Sequence, residues 1–187
     1  MAAAQRRDGP VPVKLISGLL YPAERAELME WAAGRMSAVF GDIELASQSY
    51  PFGYTDYYRD IAPRLERRFF VFAGLRHPFG LVVWKKLAIS IEAESAACAG
   101  TDTDTGRHVN IDPGYLDGAR LVLASTKDNA HRIYLWDDIY AETTMCRKKS
   151  GWISFSYTFP DFASGVYDDF LDSARNIWRR DLRSRRD

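Results

Sequence analysis

Lys127, Asp128, His131 and Arg132 fall within six residues of one another, in the stretch STKDNAHRIYL from Ser125 to Leu135, directly after the apolar run LVLA. An ammonium, an imidazole and a guanidinium so close together can hold an anion, and the planar guanidinium fork matches a carboxylate or phosphate. The same residues would be ordinary as a solvated turn at the entrance to a strand. Substitution separates the two readings. A solvated turn tolerates Lys127→Ala, whereas an anion site loses on the order of 1.5–3 kcal/mol per charged contact.

The hairpin that follows decides which side chains share this mouth. Cross-strand neighbours share a face, so HRIYLWDDIYAETT keeps its faces consistent with a three-residue loop, Trp136 to Asp138. That loop opposes Leu135 to Ile139, Ile133 to Ala141, Tyr134 to Tyr140 and Arg132 to Glu142. One face is then apolar and expected to cover the core, while the other carries Arg132, Tyr134, Tyr140, Glu142 and Thr144. The opposed Arg132 and Glu142 is either a wet surface pair contributing under about 1 kcal/mol or the floor of a polar pocket. In the second case Lys127, His131 and Arg132 hold the anion, Glu142 orients Arg132, and Asp56 or Asp112 supplies a second polar wall. Tyr54, Tyr57, Tyr58, Tyr115, Tyr134 and Tyr140 are either half-buried sheet residues or a surface on which a ring stacks beside the cations.

Other chemistries fit less well. No G-x-x-x-x-G-K-[ST] loop cradles a phosphate, and STKD lacks the Asn and the spacer of a guanine-reading Asn-Lys-x-Asp. Ser125 or Thr126 beside His131 has no G-x-S-x-G elbow. His77 and His108 read as surface residues, and Cys98 and Cys146 as small hydrophobes. Asp102 to Gly106 opens like a calcium loop, but its glycine is fifth rather than sixth, and Pro113 stands where a bidentate Glu should. Asp56, Asp112, Asp128, His131 and Glu142 come from separate segments without metal-ligand spacing, so no metal is expected. Asp112-Pro113-Gly114 reads as a turn.

A chain of 187 residues, 47% hydrophobic and 27% charged, is expected to form one domain, from residue 13 to 178, with a flexible N-terminus over 1–12 and a basic tail over 179–187. Lys plus Arg and Asp plus Glu each number 25, which excludes a global attraction to nucleic acid. From Arg175 to Asp187 six arginines face two aspartates, which is either a helix end complementing its macrodipole or an RNA or membrane contact. Two cysteines build no disulfide framework, and no apolar run spans a membrane, so a cytoplasmic protein is expected.

Val13 to Leu20 reads as a buried strand, and Pro22 is suited to the first turn of a helix whose apolar face, Leu28, Trp31, Ala32, Met36, Val39 and Phe40, ends at Gly41. Strands follow before Pro51 and from Arg67. Pro78 opens a second helix marked by Val83, Trp84, Leu87, Ile91 and Cys98. Strands then dominate until a last helix capped near Ser164. This order predicts an α+β fold: a ferredoxin-like split βαβ core with a mainly antiparallel sheet, extended by C-terminal β-hairpins and a closing helix.

The segments FGYTDYY, VNIDPGYL, LVLASTKDNAHRIYL, IYAETT and YTFPDF, in this order from about Val13 to Phe170, resemble a bacterial family known as domain of unknown function 4416. The family's signatures fall on Thr55, Asp56, Tyr57 and Tyr58; on Asn110, Asp112, Pro113, Gly114 and Tyr115; on Ser125, Thr126, Lys127 and Asp128; and on His131, Arg132 and Tyr134. The chain departs where relatives often have a glycine-containing hairpin turn, showing Trp136-Asp137-Asp138. The resemblance brings no established chemistry or cofactor. The expected ligand set is therefore Lys127, His131, Arg132, Tyr134, Glu142, Asp128, Asp56, Asn110, Asp112 and Tyr115, around a small anion such as a nucleotide or phosphorylated metabolite. The alternative is a non-catalytic module that meets protein or RNA through its tyrosine-rich face or basic tail.

Overall fold

The structure, a computed structural model, describes residues 9–98 and 107–185. The expected loop at Asp102 to Gly106 lies outside these residues. Strand β1 (Lys14–Pro22) is buried along its whole length because both faces of the sheet are covered. It leads through a turn into α1 (Ala26–Phe40), so Pro22 ends a strand rather than opening a helix. Gly41, at φ 91°, takes the left-handed turn that stops α1. Then come β2 (Ile43–Ala46), β3 (Tyr50–Phe52), a single 3-10 turn at Asp56–Tyr58, β4 (Leu65–Phe72) and α2 (Leu81–Cys98).

Strands β5 (Asn110–Leu116), β6 (Arg120–Ser125), β7 (Ile133–Trp136), β8 (Ile139–Lys148) and β9 (Gly151–Ser154) follow, and the short α3 (Pro160–Ala163) precedes α4 (Asp168–Ser184). The order β2-β4-β1-β5-β6-β8-β7 is antiparallel throughout, with β3 added to β4 and β9 to β8. Its first four strands, with α1 and α2, are the split βαβ core, and the remainder is the expected hairpin extension. The last helix starts at Asp168, not near Ser164, whose hydroxyl instead donates back to the Asp161 carbonyl of α3 at 2.6 Å. The helix continues through residues assigned above to a tail.

Two cores result. Leu15, Leu19, Phe70, Phe72 and Ile111 meet α1 and α2 on one face. Ile16, Phe69, Val71 and Leu116 meet Phe162, Tyr167, Phe170 and Leu171 on the other. The β7–β8 hairpin corrects two expectations. The pairs Ile133 with Ala141 and Tyr134 with Tyr140 occur as expected, but Trp136 pairs with Ile139 across a two-residue turn, and Leu135 is bulged out. Asp137 and Asp138 both take positive φ, 54° and 58°, the type I′ geometry whose twist suits a hairpin. Only the β8 side of the apolar face covers the core, with Ile139 fully buried and Ala141 packed beside it; β7 is the sheet's edge, and Ile133 is 69% exposed.

Candidate anion-binding cleft

Asp112-Pro113-Gly114 does not turn; it runs through the middle of β5. β5 pairs with β1 over its full length, from Asn110 to Leu116, but with β6 only from Gly114 to Leu116. At Gly114 the β6 backbone comes so close that a Cβ would sit 2.2 Å from the Val122 carbonyl oxygen, and only glycine permits that approach. Before it, Pro113 has no N–H to offer a ladder. The sheet therefore splits. Two side chains of α2 replace the missing strand partner: Glu92 Oε1 accepts the Ile111 amide at 2.6 Å, and Lys85 Nζ donates to the Ile111 carbonyl at 2.7 Å.

The split opens into a cleft of about 330 Å³. Among the described residues five cationic side chains, Arg67, Lys85, Arg107, Lys127 and Arg132, line it with three carboxylates, Glu92, Asp112 and Glu142. Tyr57 and Tyr58 enter from the 3-10 turn, Tyr157 and Phe159 from the segment between β9 and α3, and Phe162 from α3 itself.

At the inner end Lys85 reaches Asp112 Oδ1 at 3.4 Å, Asn110 donates to Asp112 Oδ2 at 2.8 Å, and Arg107 donates to Asn110 at 3.1 Å. Burial raises the Glu92 pKa despite the charge of Lys85. It also raises that of Tyr58, with Asp112 adding to the effect, so the phenol stays protonated.

At the mouth, Glu142 Oε2 accepts from Arg132 Nε at 2.9 Å and lies 3.0 Å from His131 Nε2, while Arg132 also donates to the Lys127 carbonyl at 3.0 Å. The His131 ring stacks on Tyr157 at 4.2 Å. Lys127 Nζ stands 3.2 Å from the centroid of the Tyr57 ring and forms no ion pair among the described residues.

Of the ten residues expected from sequence, the cleft gathers Lys127, His131, Arg132, Glu142, Asn110 and Asp112. Tyr134 lies outside, on the exposed edge strand and packed edge-on against Tyr140, and Asp128 is not among the residues that line the cleft. Tyr115 packs on the α1/α2 core. The Asp56 and Cys98 side chains lie outside those described, although Asp56 neighbours Tyr57 in the 3-10 turn. His108, expected at the surface, is 5% exposed beneath Ser95. Arg67, Lys85, Glu92, Arg107 and Tyr157 were not anticipated. A signal existed for two of them: Lys85, Ala88, Glu92 and Ser95 recur at helical spacing on a buried stripe, and charges on such a stripe demand partners.

Among the described residues no group of three His, Cys, Asp or Glu is placed to hold a metal ion, and no helix is long and apolar enough to cross a membrane. Fold and cleft together define an α+β protein with a split βαβ core and a basic, aromatic-lined opening in its sheet. The chain belongs to the family described as Domain of unknown function (DUF4416), whose profile matches residues 11–178. No curated protein and no solved structure gives a significant match.

Proposed function

We propose that this is a cytoplasmic protein that binds a small anionic ligand, a nucleotide or a phosphorylated metabolite, in the cleft between β5 and β6. The observation that carries the reading is the Lys127 ammonium, set over the Tyr57 ring with no carboxylate partner among the described residues, beside an Arg132 already fixed by two hydrogen bonds. A cation held ready at a cleft mouth loses little freedom when an anion arrives. The excess of cations over carboxylates in the lining favours negative charge. The cleft volume falls at the lower end of the roughly 300–1,000 Å³ range of ligand pockets. The exposed Tyr57 and Phe159 rings supply aromatic surface for a planar part of the ligand.

The test is thermal stability against nucleotides, sugar phosphates and organic acids, each with and without magnesium, for the wild type and the Lys127→Ala/Arg132→Ala variant. A ligand at about 100 times its dissociation constant stabilises the fold by roughly 2.7 kcal/mol. A shift in the wild type that disappears in a folded variant supports the reading. No shift across the panel removes it.

A further inference from the structure

α4 uses its two faces differently. Phe170, Leu171, Ala174 and Trp178 pack on the sheet. At the edge of that face Arg175, half-buried and donating to the Gly118 carbonyl at 2.9 Å, begins a row that continues outward through the exposed Arg179 and Arg183 at four-residue intervals, about 12 Å long at 1.5 Å per residue. The β8–β9 turn extends the row, since Lys148 and Lys149 share a surface recess with Arg147 and Arg175. The neighbouring recess is lined by Asn176, Arg179, Arg180, Arg183 and Ser184. Arg147 is tied to Asp172 at 2.9 Å, and Arg180 to Glu44 and Asp181. Lys148, Lys149, Arg179 and Arg183 are exposed and form no ion pair among the described residues. A chain of zero formal net charge thus concentrates positive charge on one ridge, which shares no lining residue with the cleft.

We propose that this ridge docks the phosphate backbone of a nucleic-acid duplex. Its chemistry separates that partner from the others a basic surface can meet. A helix lying in a membrane needs an apolar face free to insert, and the apolar face of α4 is spent on the sheet. A protein partner needs apolar or aromatic anchors at the interface centre, and the residues lining the two recesses include neither. Single-stranded nucleic acid is held by stacking on aromatic rings, which the ridge also lacks. What remains is backbone contact, for which the arginine fork is suited. At about 3.4 Å of axis per phosphate, the 12 Å row spans roughly three to four phosphates of one strand. Contacts of this kind position a duplex without reading its sequence.

Fluorescence anisotropy of a labelled random-sequence DNA duplex of 20 base pairs with the full chain, from about 50 to 200 mM salt, tests this. Four unpaired cations predict a slope of log K against log salt of about −3.6, at about −0.9 per neutralised phosphate. Arg179→Gln/Arg183→Gln and Lys148→Gln/Lys149→Gln each reduce the slope by about 1.8, with unchanged melting temperature. Lys127→Ala/Arg132→Ala leaves it unaltered, which separates this proposal from the cleft. No saturable binding at 50 mM salt overturns it, as do slopes unchanged in both ridge variants. It is equally overturned by tighter capture of a single strand, or by binding to phosphatidylserine vesicles without binding to the duplex.

Discussion

Removing the Asp161 carboxylate is expected to cost the fold more than almost any other single polar substitution. Arg67 is 5% exposed and Asp161 fully buried, and the Arg67 guanidinium donates to Asp161 from its Nη1. Its Nε has no hydrogen-bond partner among the described residues, its Nη2 is 3.9 Å from Asp112, and its Cζ lies over the Phe52 ring at 4.6 Å. The same Asp161 oxygen accepts the Tyr167 hydroxyl at 3.0 Å. Asp161→Ala therefore strands a buried guanidinium and a buried phenol at once.

Breaking a buried ion pair from one side costs about 3–5 kcal/mol, and the phenol's loss falls inside that range because both contacts share one oxygen. For a chain of this size the melting temperature falls by about 2–4 °C per kcal/mol, hence by roughly 6–20 °C. Arg67→Met/Asp161→Ala removes the charge with its partner and should recover about 2 kcal/mol or more relative to Asp161→Ala. Urea unfolding followed by tryptophan fluorescence measures both. A cost below about 1 kcal/mol for Asp161→Ala, or a double variant as unstable as the two single losses added, refutes the reasoning.

Three further outcomes follow from particular residues. Gly114→Ala drives a methyl into the Val122 carbonyl and should destabilise by about 1–3 kcal/mol, read as a lower urea midpoint. Asp138→Gly relieves a left-handed residue in the type I′ turn and should raise stability by about 0.5–1 kcal/mol in the same assay. Burial alone would raise the Asp181 pKa, but the hydrogen bonds from Lys14 and Arg180 outweigh it and hold the group below the ordinary aspartate value. Its contribution is therefore present above about pH 4 and lost as pH falls through the folded pKa. Asp181→Asn should be less stable than the wild type at pH 7 and lose less on acidification; equal acid slopes would contradict the assignment.

The sequence made the split βαβ order legible because strand and helix periodicities alternate clearly and Gly41 and Pro78 punctuate them. It showed the Arg132–Glu142 pair through cross-strand register, which depends only on local spacing. What it hid was non-local. Asp112-Pro113-Gly114 carries the composition of a turn, yet Gly114 is required by the approach of β6, and Pro113 sits where a ladder bond is absent. The inner wall of the cleft comes from α2, whose Lys85 and Glu92 meet β5 only after the chain has folded. Nor did alternation reveal that β7 would end as an edge strand, because an apolar face says nothing of whether a neighbour exists to cover it.

Titration calorimetry of nucleotides and sugar phosphates into the wild type and Lys127→Ala/Arg132→Ala tests the central claim most directly. Two charged contacts at about 1.5–3 kcal/mol each amount to roughly a 10²- to 10⁴-fold difference in dissociation constant. Saturable one-to-one binding of at least one phosphorylated compound to the wild type is expected, weakened by that factor in a variant that remains folded. Equal affinities in the two proteins, or no saturable heat with any compound in the wild type, would contradict it.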